Sequence, residues 1–178
     1  MSQIRPQEFE SLPLRVHDFL AGVPLHDVWA VDLPRMRSGI TLDEFLRAAG
    51  GAPFKPSLAA RVLLKTRFAV GRLFDWDREP GPNASKAFAT RLSENDRSKS
   101  LVPAGRREGP FRMVYRFENE QLLEISNRTV HAAAVSALVE ASDAYRFYFG
   151  VYVASVSRLT PVYMTLIDPF RKLIVYPS

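Results

Sequence analysis

The 178-residue chain contains no cysteine. Disulfide frameworks, thiolate nucleophiles, cysteine-based zinc sites and iron–sulfur clusters are therefore excluded, and the composition fits a reducing compartment. Long apolar runs are also missing, because the longest stay well short of the roughly 20 residues that cross a bilayer. Charged side chains interrupt the first two dozen positions, so no export signal is expected. The sequence predicts a cytoplasmic protein without a membrane span.

Positive charge is in excess, but it is not concentrated in one place. The chain carries 24 Lys and Arg against 19 Asp and Glu, a formal charge of +5. The densest basic stretch, Arg97, Lys99, Arg106 and Arg107, is interleaved with Ser, Pro and Gly and lacks the pattern of a recognition helix or an aromatic platform. A solvated basic surface is therefore favoured over a nucleic-acid site.

Motifs for metals and cofactors are also lacking. His17, His26 and His131 are not at metal-ligand spacings, and the sequence has no HExxH, GxGxxG, Walker or GxSxG pattern. No metal, nucleotide cofactor or serine-hydrolase site is predicted. A content of 47% hydrophobic and 24% charged residues is ordinary for one globular domain with a sizeable core, so a single domain over 1–178 is expected.

The first part of the chain predicts an arm, a strand and a short helix. Residues 1–24 form the arm, and a strand follows over 26–33, where Pro34 ends it. Thr41 and Glu44 match a capping box that begins a helix running to Ala49.

A second helix and a long polar excursion are predicted next. The helix follows Pro56-Ser57 and is amphipathic, so it is expected to lie on a core. The stretch 77–108 is polar and rich in Pro and Gly breakers. Because so long a structureless loop is unusual in a compact domain, we expect it to contain a short helix near 86–92 or to act as a flap.

Consecutive strands joined by short turns make up the next part. In the clearest of them, Phe111, Met113, Tyr115 and Phe117 are predicted to face one way, since side chains alternate along a strand. Further strands are predicted over 122–126, 129–139 and 145–155. The short connections between them predict an antiparallel meander.

A C-terminal helix is predicted from Thr160, with Pro161 at its first position and a bend at Pro169. Its apolar stripe has the spacing of a buried face and comprises Tyr163, Leu166, Ile167, Phe170, Leu173 and Ile174. The concave face of the twisted meander is the natural place to bury that stripe. The predicted fold is α+β, with an antiparallel sheet wrapped around a long C-terminal helix and a pocket between them.

Several stretches resemble a bacterial family of unknown function. They are 115–120, 127–132, 151–153 and the C-terminal run from Tyr163 to Pro177. That family also occurs C-terminal to NmrA-type nucleotide-sugar-epimerase-like domains, and in layout it is similar to the START-like, helix-grip (SRPBCC) superfamily. Members of that superfamily bind lipids, polyketides, hormones or other apolar molecules, and a few catalyse cyclisation or hydrolysis. The resemblance, which covers the chain from about His26 onward, therefore implies a helix-grip fold and an apolar ligand.

His131 is the best candidate for proton transfer, because imidazole titrates near neutral pH. Small residues follow it at 132–134, which either permit close packing or leave room for a ligand. Glu124 and Asn127 could orient its ring. The alternative is a histidine whose hydrogen bonds are satisfied in the core.

Three functions are compatible with the sequence. The first is a binding module for an apolar molecule, whose pocket is lined by Phe111, Met113, Tyr115, Phe117, Tyr148, Tyr152 and Tyr163. For each tyrosine the alternative is plain aromatic packing. The second is a cyclase- or hydrolase-like enzyme that uses His131 as acid or base in the same pocket. The third is an interaction domain that dimerises or docks through a sheet edge or an aromatic patch.

Overall fold

Seven antiparallel strands form one sheet in the computed structural model, which describes residues 1–34, 37–50, 87–109, 111–126, 131–141 and 144–154. The strands are β1 (Ser2–Gln3), β2 (Leu25–Pro34), β3 (Arg107–Glu108), β4 (Phe111–Arg116), β5 (Glu120–Ser126), β6 (His131–Glu140) and β7 (Ala144–Ala154). Their order across the sheet is β1-β2-β7-β6-β5-β4-β3. The predicted meander is confirmed, since β4 to β7 pair consecutively and antiparallel.

The helical elements among the described residues are short. They are α1 (Pro6–Glu10), α2 (Arg15–Phe19), α3 (Leu42–Gly50), a 3₁₀ turn (Phe88–Arg91) and α4 (Glu94–Lys99). The predicted second helix, the C-terminal helix from Thr160 and Tyr163 all lie outside the described residues.

The capping box at α3 is confirmed. Thr41 N donates to Glu44 Oε2 at 3.1 Å, and Glu44 N donates to Thr41 Oγ1 at 3.3 Å. The helix runs one residue further than predicted, to Gly50. The predicted strand over 26–33 is also confirmed, although β1 precedes it and pairs with Trp29 and Ala30.

The two faces of the sheet have different surroundings. We call the face that carries Tyr115, Tyr148 and Tyr152 the front face, and the opposite one the back face. The N-terminal residues and the 3₁₀ turn pack on the front face, where the main core contains Phe9, Leu14, Val16, Phe19, Leu20, Phe88 and Leu92 together with Val28, Ala30, Leu122, Ala133, Val135 and Ala137 of the strands. The N-terminal segment, which was predicted to be an arm, therefore forms a layer that covers the front face of the sheet.

A β-bulge in β4 corrects the prediction that four side chains of this strand share a face. Met113 pairs with Leu123, whereas Tyr115 pairs with Leu122, so Val114 is the inserted residue. Because Leu122 and Leu123 are neighbours, they point to opposite faces. Met113, and with it Phe111 two residues earlier, therefore lies on the opposite face of the sheet from Tyr115, and the predicted common direction is wrong for both. Tyr115 and Phe117 stay together, with stacked rings 4.5 Å apart.

Two buried carboxylates on β5 attach the covering segments to the front face. Glu120 Oε1 accepts from Tyr115 Oη at 2.6 Å, and its Oε2 accepts from the backbone N–H of Arg15 at 2.8 Å, at the start of α2. Glu124 Oε2 accepts from the backbone N–H of Phe88 at 2.7 Å, at the start of the 3₁₀ turn. Buried carboxylates need such donors, because an unpaired charge in the core is unfavourable.

A salt bridge joins α2 to α4, the helix that follows the 3₁₀ turn. Arg15 Nε and Nη2 donate to the two carboxylate oxygens of Asp96, at 3.1 and 3.0 Å. Ser93 caps α4 by accepting from Asp96 N at 3.1 Å, and its hydroxyl donates to the Asp96 carboxylate at 2.7 Å. The hydrogen bonds from Arg15, followed by those from Ser93, hold the pKa of Asp96 below its ordinary value. The front-face cover is thus one connected polar and apolar layer.

Replacing Glu120 with Leu should lower the free energy of unfolding by about 2–6 kcal/mol, because each of the two donors left unpaired costs about 1–3 kcal/mol. Adding Tyr115→Phe should restore part of that loss, since the phenolic hydroxyl then no longer lacks an acceptor. Urea unfolding measures both effects. The exposed Glu118, two residues away, serves as control, and Glu118→Leu should change stability by about 0.5 kcal/mol or less. Equal losses of stability for Glu120→Leu and Glu118→Leu would contradict the assignment of Glu120 as the acceptor that holds α2.

Candidate functional site

His131 lies on the front face and is fully buried, with 1% of its surface exposed. Its Nε2 is 3.3 Å from Glu124 Oε2, and the ring of Phe88 stacks on it at a centroid distance of 3.9 Å. The predicted contact with Glu124 is therefore present, whereas Asn127 lies outside the described residues. Because Glu124 also accepts from Phe88 N, the imidazole and the carboxylate together hold the 3₁₀ turn against the sheet.

The predicted tyrosines of the front face lie under the N-terminal helices. Tyr115 is fully buried, and burial raises its pKa well above the ordinary value. Burial also raises the pKa of Glu120, whose hydrogen bonds from Tyr115 and from the α2 backbone act in the opposite direction. Tyr148 packs on Phe9 at a ring distance of 5.8 Å. Among the described residues, the contacts of this face are those of a filled core.

His17 of α2 lies between the covering helices and the sheet. Its Nδ1 is 3.4 Å from Tyr152 Oη, and its ring meets Phe9 edge-on at 5.0 Å. Its Nε2 is buried and has no hydrogen-bond partner among the residues that the structure describes. Burial lowers the pKa of His17, while the Phe9 backbone and the carboxylates of Glu10 and Asp18 act in the opposite direction. The neutral imidazole is therefore the form that fits this position.

The back face carries a different set of apolar side chains, which are only half-buried. On β7 these are Phe147, Phe149 and Val151, the neighbours of the predicted tyrosines that point the other way. Their cross-strand partners include Ser136 for Phe149 and Ala134 for Val151. Apolar side chains that are half-exposed on several adjacent strands form a continuous surface, which is unusual on a sheet without a ligand or partner.

Small residues lie along the middle of this face, on β6. Ala132 and Ala134 pair with Ile125 and Leu123 of β5 on one side, and with Val153 and Val151 of β7 on the other. Short side chains on a central strand between longer ones leave a furrow along it. We call this furrow the trough and define it by Leu123, Ile125, Ala132, Ala134, Phe149 and Val151.

Helix α3 bounds the trough at one end. The ring of Phe45 packs on that of Phe147 at 5.1 Å, within a cluster that also contains Leu42, Leu138 and Tyr145. The helix is fixed to the sheet, because Arg116 Nη1 donates to Asp43 Oδ1 at 3.1 Å. Helix α3, which forms the end wall of the trough, is therefore held against the sheet.

The trough residues were not among the site residues predicted from the sequence. Alternation along β7 puts Phe147, Phe149 and Val151 opposite Tyr148 and Tyr152, so the choice of tyrosines selected the other face. The run of small residues on β6 was the sequence feature that could have indicated the trough. Of these three alanines, Ala133 packs in the front-face core, whereas Ala132 and Ala134 lie in the half-exposed surface of the back face.

Residues 19–178 match a family model described as "Protein of unknown function (DUF2867)". No curated protein and no solved structure matches the chain. The matched region contains the whole trough, while β1 and α1 precede it. In the ranges that the structure describes, no helix is both long enough and apolar enough to cross a membrane.

Acid should weaken the attachment of α2 through His17. Because its pKa is lowered in the folded state, unfolding takes up a proton, and stability falls as the pH drops below about 6.5, the ordinary histidine value. Urea unfolding at pH 7.5 and pH 5 should show a larger loss for the wild type than for His17→Gln. The exposed His26 is the control, and His26→Gln should keep the wild-type dependence. Identical dependence in wild type and His17→Gln would contradict this role.

Proposed function

The chain belongs to the DUF2867 family of proteins of unknown function, and we propose that it binds an apolar small molecule in the back-face trough. The observation that carries this proposal is the half-exposed apolar surface with short side chains, Ala132 and Ala134, along its middle. Small-molecule sites are concave and mostly apolar, with few polar groups. Ser136, which pairs with Phe149, supplies one such group beside the trough.

The proposal retains the helix-grip arrangement but places the pocket on the back face. The front face is filled by Phe9, Val16 and Phe88. A C-terminal helix with an apolar stripe needs an apolar partner surface, and the back face offers one directly beside the end of β7 at Ala154. In this arrangement Tyr163 and its stripe close the trough from above. The continuous sheet from β1 to β3 supports treating 1–178 as one domain.

Proton transfer by His131 is the second candidate function. Its pairing with Glu124 is the arrangement that a general acid or base uses. A substrate would reach the ring only if the 3₁₀ turn, whose Phe88 stacks on it, moved away. Because of this requirement, we rank proton transfer by His131 below ligand binding in the trough, which needs no opening of the front face.

Docking through a sheet edge is the third candidate, and it has the least support. The backbone of β4 is already paired along its outer edge, where Gly105 N donates to Met113 O at 2.7 Å and Leu101 N donates to Arg116 O at 2.7 Å. An edge whose backbone groups are occupied is a poor template for strand addition. Homodimerisation through this edge is accordingly disfavoured.

Filling the trough should abolish ligand binding. Ala134→Phe should weaken the binding of the apolar fluorescent probe anilinonaphthalene sulfonate by about tenfold or more, a change of about 1.4 kcal/mol, because the ring occupies the space above β6. Fluorescence titration of the folded protein measures the affinity. The matched control is Ala21→Phe, which adds the same ring at an exposed turn and should bind as the wild type does.

Native mass spectrometry of the purified protein gives an independent check. A co-purified apolar compound should be present in the wild type and in Ala21→Phe, and absent from Ala134→Phe. Probe binding that is unchanged in Ala134→Phe would show that the trough is not the binding site. A compound that stays bound to Ala134→Phe would count equally against it.

A further inference from the structure

A cavity lies beside the N-terminal end of α3, where several connecting segments of the chain meet. Its volume is about 310 Å³, and it lies between the β6–β7 end, the β4–β5 turn, the segment before α3 and the link between α1 and α2. Its lining is Pro13, Leu14, Gly39, Ile40, Thr41, Glu118, Asn119, Leu138, Val139, Glu140 and Tyr145. It shares none of these residues with the trough, and its volume reaches the lower end of the range of ligand pockets, roughly 300–1,000 Å³.

The walls of this cavity, which we call the end cleft, are held by hydrogen bonds that do not depend on a ligand. Leu42 N donates to Glu118 O at 2.7 Å, and Leu138 N donates to Asn119 O at 2.8 Å. Both bonds fix the β4–β5 turn, one to α3 and the other to β6. The cavity is therefore preformed, and a ligand would not have to bear the entropic penalty of ordering its walls.

Tyr145 fixes the remaining wall. Its hydroxyl accepts from Ile40 N at 3.2 Å and donates to Arg37 O at 3.2 Å. Its side chain, like those of Leu14 and Leu138, is almost completely buried. These three residues give the cleft an apolar floor, which suits the body of an apolar ligand.

Two of the described residues that line the end cleft are exposed and acidic. Glu118 and Glu140 are exposed, and neither forms an ion pair with a described residue. Other acidic side chains do have such partners, as Glu108 pairs with Arg116 and Glu8 with Arg146. Among the described residues that line the cleft there is no Lys, Arg or His. A negative potential at the mouth of a low-dielectric cavity attracts a cation.

We propose that the end cleft is a binding site for a small amine, with the apolar part of the ligand on Leu14, Leu138 and Tyr145 and its ammonium group between Glu118 and Glu140. The site is separate from the trough and does not rest on the function proposed for it. The carboxylates supply charge-assisted hydrogen bonds to the ammonium group. The amide of Asn119, on the same rim, offers a further acceptor.

The test compares two probes of the same shape, phenylbutylamine and the uncharged phenylbutanol, by isothermal titration of the full chain at low salt. The wild type should bind the amine about tenfold more tightly than the alcohol, and added salt should reduce this preference. Glu118→Gln with Glu140→Gln should abolish the preference while leaving the affinity for the alcohol unchanged. Glu10→Gln with Glu94→Gln, which makes the same change of charge at exposed helical positions, should keep the preference.

Two further variants locate the binding. Val139→Trp fills the cleft and should abolish the preference for the amine over the alcohol, whereas Ala134→Phe, in the trough, should keep that preference. Far-ultraviolet circular dichroism verifies that each variant is folded. Equal affinity of the wild type for amine and alcohol, a preference for the amine that survives Val139→Trp, or no binding of either probe at millimolar concentration would each overturn the proposal.

Discussion

Buried carboxylates on a single strand determine which face of the sheet remains available. Glu120 and Glu124 both point to the front face of β5, and each accepts a backbone N–H at the start of a covering segment, Arg15 of α2 or Phe88 of the 3₁₀ turn. Because an unpaired carboxylate in the core is unfavourable, these bonds fix both segments in place. With the front face filled, a small molecule has the back face and the end cleft at its disposal.

Much of the fold follows from local sequence signals, and the errors have local causes. The capping box of Thr41 and Glu44, the meander and the strand before Pro34 were all predicted because each depends on neighbouring residues. The β-bulge falls at Val114, the one apolar residue among the intervening positions, and an apolar residue there does not by itself distinguish a bulge from a strand that is buried on both faces. The role of residues 6–20 was missed because it depends on long-range bonds such as that between Arg15 and Glu120.

For the candidate site, too, local sequence patterns indicated the strands, whereas the choice of face depends on long-range contacts. The site residues predicted from the sequence lie on β4 or directly after it, on β6 and on β7, with Tyr163 outside the described residues. Sequence alone could not choose between the two faces, because both are apolar and a shift of one residue exchanges them. That choice depends on what covers each face, and here Phe9 and Val16 of the N-terminal layer cover the tyrosines.

The different environments of adjacent β6 residues provide the most direct measurement. The chain has no native cysteine, so Ala133→Cys and Ala134→Cys each introduce one thiol, on the front and on the back face respectively. Maleimide labelling of the folded protein should be faster at position 134 than at position 133, and an apolar ligand should protect position 134. Faster labelling at position 133 would contradict a filled front face and, with it, the placement of the site.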